Sequence, residues 1–275
     1  MTFTQATSDI KPDLIKLFKS SFGDDDSYIN LFFDKRFKPN ETMVALFDNK
    51  VVSMLFALPI DIVSGSQIFS ARYIYAVATD PKFRSRGFSS RLMEYTHEFL
   101  KNDGVDMSLL VPASKSLFEY YEKLGYHTKF YVDTQEYTFT ESKNIALIPV
   151  SMVKMASIRE NYFKESSLFA RWDNDALAYQ DAEAAYFGGE TLYFKNPCEG
   201  YALCYPFKNA VIVKEIVSFS DDFAILNSIA TRYNKSTVIV RRRGKSTPFG
   251  MICQYSNKRE EHPGAFPPYL SLVLD

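Results

Sequence analysis

The feature that most constrains the fold is a strand, a loop and a helix that follow one another between Tyr73 and Lys101. Residues 73–78 (YIYAVA) are β-branched and aromatic, and Pro81 then removes a ladder donor, so the pattern predicts a strand that ends near Thr79. Beyond the loop, apolar side chains recur at helical spacing at Phe88, Leu92, Tyr95 and Phe99. The loop therefore leads directly into the N-terminus of a helix.

That loop, residues 84–89 (RSRGFS), combines two arginines with a glycine at the start of the helix. Free backbone N–H groups and the positive end of the helix dipole converge there, and Gly87 lets a ligand approach the main chain closely. The pattern indicates a site for a diphosphate. An isolated motif of this kind is more often a solvated basic turn, so the interpretation depends on what surrounds it.

The loop, with the strand before it and the helix after it, resembles the acetyl-CoA signature of the GNAT N-acetyltransferases. That signature, R/Q-x-x-G-x-G/A, lies between a central strand and a helix. A second segment, residues 113–126 (ASKSLFEYYEKLGY), is similar to that family's A-x-x-F-Y-x-x-x-G-F/Y motif. One departure is Ser89, where the family usually has glycine or alanine. The resemblance implies an α+β acyl-CoA N-acyltransferase (GNAT) fold, with a mixed central sheet flanked by helices.

The resemblance also implies the cosubstrate and the residues that contact it. Acetyl-CoA would be the cosubstrate, and no metal is expected. Backbone N–H groups at 77–79 would polarise the thioester carbonyl, and the loop would hold the phosphates. The implied cofactor-binding residues are Val77, Ala78, Thr79, Arg84, Ser85, Arg86, Gly87, Phe88 and Ser89.

The resemblance implies that Tyr121 is the catalytic acid. It stands four residues before Gly125, where GNAT enzymes place the tyrosine that protonates the departing CoA thiolate. By helical spacing alone, Tyr121 would be a core aromatic. Tyr120, one residue earlier, aligns with a packing position.

The sequence leaves the general base open. Many GNAT relatives carry a glutamate on the central strands, but residues 73–78 contain none. A water relay, Glu41 and the chain terminus at Asp275 are the alternatives. The acidic run 24–26 could attract a cationic amine, but such a run between two helices is typical of a solvated turn with helix caps.

The local patterns predict a catalytic GNAT domain over residues 1–142. Helices at 9–22 and 27–37 come first. A strand meander follows at 42–47, 51–59 and 66–77, with a turn at Asn49-Lys50, and then a strand at 105–111 and a helix ended by Gly125. Residues 127–139 alternate well enough for two closing strands, and 141–144 resemble a linker.

Residues 143–275 repeat that order of elements, which predicts a second, diverged GNAT-like domain without the acetyl-CoA loop. Helices are predicted at 150–163, 173–187 and 221–233, and strands at 191–194, 200–206, 210–219, 237–241 and 267–275. This tandem plan resembles the enhanced intracellular survival acetyltransferases without their C-terminal carrier-like domain.

A second copy of the arginine motif occurs in this half, at 241–246 (RRRGKS). Pro248 follows it and would interrupt a helix, so a basic loop is predicted rather than a phosphate site. The helix that occupies the matching place begins at Asp221 and Asp222. Their carboxylates would cap its N-terminus and repel an anion.

Composition limits the partners and the compartment. A net charge of -1 argues against a nucleic-acid binder. No apolar run approaches the length of a membrane span and the N-terminus lacks signal-peptide features, so we expect a cytoplasmic protein with no membrane partner. Three cysteines without a C-x-x-C pattern are typical of reduced buried thiols rather than of metal ligands.

The sequence thus predicts an acetyl-CoA-dependent N-acetyltransferase that acts on a primary amine. A small-molecule amine is preferred to a protein lysine, because a second domain at the acceptor side would narrow access. A peptide α-amine and a homo-oligomer are both compatible with the sequence. The alternatives from other classes are a non-catalytic acyl-CoA-binding sensor and an interaction protein.

Overall fold

A computed structural model describes residues 1–220, 222–258 and 264–274. The first half of the chain alternates helices with the strands of a meander. Its elements are β1 (Thr2–Gln5), α1 (Lys11–Phe22), α2 (Asp26–Lys35), β2 (Thr42–Phe47), β3 (Lys50–Ser64), β4 (Gln67–Thr79), α3 (Phe88–Asn102), β5 (Met107–Leu110), α4 (Lys115–Glu122) and β6 (His127–Thr138).

The second half follows a similar order. Its elements are β7 (Ile148–Pro149), α5 (Met152–Phe163), β8 (Phe169–Arg171), α6 (Asn174–Tyr186), β9 (Glu190–Phe194), β10 (Gly200–Phe207), β11 (Ala210–Ser218), α7 (Phe223–Arg232), β12 (Thr237–Arg243) and β13 (Thr247–Gln254). The predicted helices and meander strands of both halves are present, with bounds that differ by a few residues.

The described strands form one mixed sheet, and it joins the two halves. The order is β1-β2-β3-β4-β5-β13-β6-β12-β11-β10-β9-β7, with β8 paired to β3. β4 is parallel to β5 and β11 is parallel to β12, whereas the other pairs are antiparallel. β13, from the second half, lies between β5 and β6 of the first. The division of the chain at residue 142 stays a prediction.

Aromatic side chains pack α1 and α2 against the sheet. Phe18, Phe32 and Phe56 are fully buried, and the ring centroids of Phe32 and Phe56 lie 4.8 Å apart. Tyr179 of α6 packs edge-on to Phe32 at 6.0 Å. Large aromatic rings bury much apolar area at once, so this cluster holds α2 against both β3 and α6.

Three strand predictions were wrong in detail. Residues 127–139 form the single strand β6 rather than two. Residues 267–274 make no strand: in the segment 264–274 Phe266 forms a single bridge with Ser166 and Tyr269 forms one with Phe169, and Asp275 lies outside the described residues. The first meander turn is at Asp48-Asn49, where both residues are left-handed, one position before the predicted turn.

The start of α7 also differs from the prediction. The Asp222 side chain makes no capping hydrogen bond; its carboxylate pairs instead with Arg242, with Oδ2 2.8 Å from Nη1. Asp221 lies outside the described residues. Of the basic loop predicted at 241–246, residues 241–243 belong to β12 instead, and only 244–246 form a loop, which leads into β13 without a helix.

Candidate active site

The candidate site begins where β4 separates from β5 and its pairing with β3 becomes irregular. It pairs with β5 only over Ala71–Tyr73, so the two parallel strands separate beyond that point and a crevice opens between them. Against β3, the register shifts between Met54/Ala78 and Phe56/Tyr75, which leaves Ala76 and Val77 in a β-bulge. Ala76 has a positive φ of 49°. A bulge takes backbone groups out of the ladder, so this segment can offer them to a ligand.

The loop from β4 to α3 is held in shape by its own polar groups. The Asp80 carboxylate accepts a hydrogen bond from Lys82 N at 2.8 Å, and Arg84 Nε donates to the Thr79 carbonyl at 3.1 Å. Gly87 is the N-cap of α3 with φ 74°, in the left-handed region, and a Cβ there would meet only Arg91 Cδ, at 4.0 Å. The main chain before α3 is therefore open on the side from which a ligand would approach.

A cavity of about 340 Å³ opens at this loop, and we call it the smaller cavity. Ala78 and Arg86 do not line it: Ala78 is buried with its carbonyl bonded to Ser53, and the Arg86 guanidinium stacks 5.5 Å from the Phe83 ring. Its lining comprises Val77, Thr79, Phe83, Arg84, Ser85, Gly87, Phe88, Ser89, Ser90, Leu117, Tyr120 and Tyr121. The structure thus brings together seven of the nine predicted cofactor-binding residues.

The two tyrosines of α4 have different surroundings. The Tyr120 hydroxyl lies 2.9 Å from Ser89 Oγ and 3.3 Å from Ser90 Oγ, so it links α4 to the first turn of α3. The Tyr121 hydroxyl has no hydrogen-bond partner in the described part of the chain, although the residue is only 7% exposed. Burial raises the pKa of the Tyr121 phenol, and Tyr120 raises it further. Tyr121 is therefore protonated at neutral pH with its proton uncommitted.

A second cavity of about 550 Å³, the larger cavity, lies at the β4–β5 crevice and between the two halves of the chain. Val77, Leu117 and Tyr121 line both cavities, so they mark the junction. The first half contributes Phe22, Asp24, Tyr28, Tyr73, Ile74, Tyr75, Ala76, Leu110, Val111 and Ala113. The second half contributes Glu183, Phe187, Tyr205, Pro206, Phe207, Ile212, Lys214 and Leu274.

The acidic run 24–26 divides among three roles. Asp25 caps α2, with its carboxylate accepting from Ser27 N and Tyr28 N at 2.9 Å, and Asp26 pairs with Lys19 at 2.7 Å. These two match the predicted turn and caps. Asp24 instead lines the larger cavity, where burial raises the pKa of its carboxyl and the neighbouring Asp25 raises it further.

Other candidate groups lie away from these cavities. Glu41 pairs with Arg36, at 3.0 Å between Oε2 and Nη1, and lines neither cavity. Asp275 lies outside the described residues. Cys198, Cys204 and Cys253 are free thiols. Within residues 1–220, 222–258 and 264–274, no cluster of side chains could hold a metal ion, and no helix is long and apolar enough to cross a bilayer.

Comparison with known proteins identifies the fold of the chain. Residues 2–128 match a family model described as an acetyltransferase (GNAT) domain. The chain has the GNAT fold. GNAT domains use acetyl-CoA as their cosubstrate. A search of curated proteins finds no match to the sequence.

Solved GNAT structures match the chain across both halves. A GCN5-related N-acetyltransferase from Anabaena variabilis is 15% identical, with a TM-score of 0.76, over 93% of this chain and 73% of that protein. Another from Kribbella flavida is 15% identical, with a TM-score of 0.71, over 91% and 70%. Eis1 from Mycobacterium abscessus is 12% identical, with a TM-score of 0.66, over 93% and 74%. At these identities the likeness shows the fold alone.

Sequence reasoning missed two parts of the site. The bulge at Ala76 and Val77 carries no sequence mark, because neither residue is glycine or proline. Glu183 did leave a signal: it shares the buried face of α6 with Ala176, Leu177 and Ala184, at helical spacing. A glutamate on an apolar helix face is a buried charge that needs partners.

Proposed function

We propose that the chain is an acetyl-CoA-dependent N-acetyltransferase that acetylates a primary amine, with Tyr121 as the general acid. The observation that supports this best is the junction of the two cavities at Val77 and Tyr121. One cavity has the features of a phosphate site and the other can admit an acceptor. A bulged strand and a protonated phenol meet where the two cavities join.

The loop residues fit the diphosphate of acetyl-CoA. Gly87 leaves the main chain open at the N-terminus of α3, and the Arg84 side chain is exposed beside it. Thr79, Ser85 and Ser89 add polar groups along the same wall. When bound, acetyl-CoA supplies an acetyl group activated as a thioester. The remaining residues of the site need only position the reactants and stabilise charge.

Val77 is suited to stabilising the charge that develops on the acyl oxygen. Its backbone lies in the bulge, at the junction of the cavities, and a backbone N–H released from the ladder can donate a hydrogen bond to that oxygen. The crevice between β4 and β5 provides the space for the acyl end beside it.

Tyr121 is suited to giving a proton to the sulfur that leaves. Its raised pKa keeps the phenol protonated across the working pH range. The same burial disfavours a free thiolate at this place, so the sulfur takes up a proton more readily than it would in water. We assign no side chain as general base. A water relay is one of the alternatives for the base, and the amine must reach Val77 unprotonated.

We further propose that residues 143–275 form a diverged GNAT-like domain that shapes the acceptor site. The similar order of elements in the two halves supports this, as does the contribution of α6, β10 and β11 to the larger cavity. The acceptor would then be a small-molecule amine, because both halves enclose it. A cytoplasmic location accords with this proposal.

The test compares wild type with Tyr121→Phe and Tyr120→Phe in acetyl-CoA turnover, measured by thiol release against a panel of amines. We expect Tyr121→Phe to lower kcat by about a hundredfold, as loss of a general acid does. The affinity for CoA, measured by calorimetry, should not change. Tyr120→Phe, which loses the contacts to Ser89 and Ser90, should affect KM for acetyl-CoA more than kcat.

Two outcomes would count against the proposal. Equal kcat values for Tyr121→Phe and wild type would remove the general-acid assignment. CoA binding without acetylation of any amine would favour the acyl-CoA sensor instead.

A further inference from the structure

The larger cavity contains a buried carboxylate that the acetyl transfer does not use. Glu183 of α6 is 3% exposed, and its oxygens accept hydrogen bonds from the Tyr28 hydroxyl at 2.8 Å and the Tyr205 hydroxyl at 3.2 Å. Lys214 Nζ lies 3.7 Å from Oε2. These partners satisfy the oxygens of the buried Glu183 side chain.

Aromatic rings surround this carboxylate. The centroid of the Phe187 ring lies 5.6 Å from that of Tyr28 and 6.3 Å from that of Tyr205. The Lys214 ammonium sits over the Tyr205 ring at 4.7 Å. A carboxylate with aromatic rings beside it is the environment that binds organic cations, and Lys214 shows that an ammonium fits there.

The charge of the larger cavity is negative overall. Its charged lining residues are Asp24, Glu183 and Lys214, two carboxylates and one ammonium. Asp24 makes no ion pair in the described part of the chain, and a cation beside it would offset the burial that raises the pKa of its carboxyl. One further positive charge would therefore be stabilised in this cavity.

The mouth of the cavity is apolar. Phe22, Phe187 and Phe207 line the cavity and are 44%, 49% and 53% exposed. Exposed aromatic side chains grouped around a cavity are typical of a surface that binds an apolar part of a ligand. A polyhydroxylated acceptor would find few hydrogen-bond partners along this wall.

We propose that Glu183 and the rings of Tyr28, Phe187 and Tyr205 form a cation subsite that holds a second ammonium group of the acceptor. The amine that attacks must be neutral, so it is not the group that a carboxylate holds. The acceptor is then a linear diamine, with one cationic end at Glu183 and the other, uncharged, at Val77. Its hydrocarbon spacer lies along the aromatic wall. This inference rests on the proposed acetyl transfer.

The test uses pairs of acceptors that differ only in the second charge. Putrescine, cadaverine and longer linear diamines are each compared with the alkylamine of the same carbon count, and cadaverine is also compared with δ-aminovalerate. We expect KM for the preferred diamine to be about tenfold lower than for its alkylamine, with a similar kcat. Equal KM values, or preference for the aminocarboxylate, would overturn the proposal.

Two variants change the subsite in opposite directions. Glu183→Gln keeps the shape and removes the charge, so it should abolish the difference in KM between diamine and alkylamine. Lys214→Met removes the internal cation that competes for Glu183, so it should lower KM for the diamine severalfold. Glu199→Gln, at an exposed carboxylate paired with Lys154 outside the cavity, is the matched control and should change neither. If Glu183→Gln fails to fold, Lys214→Met is the deciding variant. An unchanged or raised KM of Lys214→Met for the diamine counts against the proposal.

A binding experiment distinguishes failure of the subsite proposal from failure of the proposed function. Calorimetry of cadaverine and pentylamine with wild-type protein requires no turnover. If no amine is acetylated but cadaverine binds at least about tenfold tighter than pentylamine, the subsite stands and the enzymatic function fails. If amines are acetylated while the two ligands bind and react alike, the function stands and the subsite fails.

Discussion

The chain contains the pattern R-x-x-G-x-S twice, and the two copies adopt different structures. At 84–89 the glycine is left-handed and begins α3, and the loop borders the smaller cavity. At 241–246 Gly244 lies against β6: its N–H donates to the Tyr131 carbonyl, and the Asp133 carboxylate accepts from Ser246 N at 3.0 Å. The second loop thus directs its backbone donors inward, to its own protein.

The comparison shows that arginines and a glycine do not make an anion site by themselves. The first loop precedes a helix whose first N–H groups are free to bind a ligand, and the second precedes a strand whose N–H groups belong to the ladder. The helix at the matching place in the second half, α7, begins beside Asp222 and its partner Arg242. A carboxylate at that end disfavours an anion.

The largest expected difference between the two loops is in affinity for CoA. Arg84→Gln combined with Arg86→Gln should raise Kd by at least about tenfold, because a charge-assisted contact of Arg84 to phosphate contributes about 1.5 kcal/mol, whereas Arg86 lies outside the smaller cavity. Both side chains are exposed, so the fold should persist, and circular dichroism would verify it.

Arg241→Gln combined with Lys245→Gln removes the same charge from the second loop and serves as the matched control. Calorimetry should show an unchanged Kd for this pair. A similar loss of affinity in both double variants would mean that overall charge, rather than the helix N-terminus, attracts the cosubstrate.

The sequence predicted the first loop well because all of its determinants are local. Pro81, Gly87 and the apolar stripe from Phe88 together specify strand end, loop and helix, and α3 begins at Phe88, the first residue of that stripe. The strand β13 was missed because Pro248 and Gly250 are turn residues by local criteria. In the structure they sit at two register shifts in the pairing with β6, where a ladder tolerates them.

Long-range packing explains why a last strand was wrongly predicted at 267–275 and why Glu183 was missed. Leu270, Leu272 and Val273 are apolar enough for a strand, yet they are buried by side-chain packing, and Trp172 Nε1 donates to the Ser271 carbonyl. Glu183 meets Tyr28 from 155 positions away in the chain. No local pattern encodes such a pairing, so the acceptor side of the site could not be read from the sequence.

The two glycines should respond differently to alanine. Gly244→Ala would place a Cβ against the backbone and side chain of Asp133, and we expect it to lower the free energy of unfolding by about 2 kcal/mol, as overpacking does. CoA affinity should be retained. The Cβ of Gly87→Ala would meet only Arg91 Cδ, at 4.0 Å, but the substitution imposes a left-handed φ on alanine, at a cost of about 1 kcal/mol.

For Gly87→Ala the loss should appear mainly in CoA binding, because the loop can relax away from the left-handed conformation. Urea unfolding and calorimetry on both variants separate the two effects. If Gly244→Ala weakened CoA binding and Gly87→Ala did not, the assignment of the two loops would have to be reversed.

The smallest expected difference concerns acid stability of α3 and α7. His97 of α3 is partly buried, with Nε2 3.1 Å from the Tyr126 hydroxyl, and this burial lowers its pKa from 6.5 to about 4. Two polar contacts of α7 come from groups that do not titrate: Asn227 Oδ1 accepts from Lys143 N, and Ser228 Oγ accepts from Ile145 N. A third comes from Glu190, and its hydrogen bonds with Arg232 lower the pKa of the Glu190 carboxyl, so this pair breaks only at a lower pH. Acid should therefore loosen α3 before α7.

The direction of this pH dependence follows from whether the folded or the unfolded state binds the proton. Below pH 6.5 the unfolded chain protonates His97 while the folded protein keeps it neutral, so stability is complete above 6.5 and falls as the pH drops toward about 4. The loss should reach about 1 kcal/mol near pH 5.5. Hydrogen exchange of α3 and α7 amides across this range measures it, and His97→Gln, which cannot take up the proton, should remove the difference. Equal acid sensitivity of the two helices in wild type would show that His97 is not the group responsible.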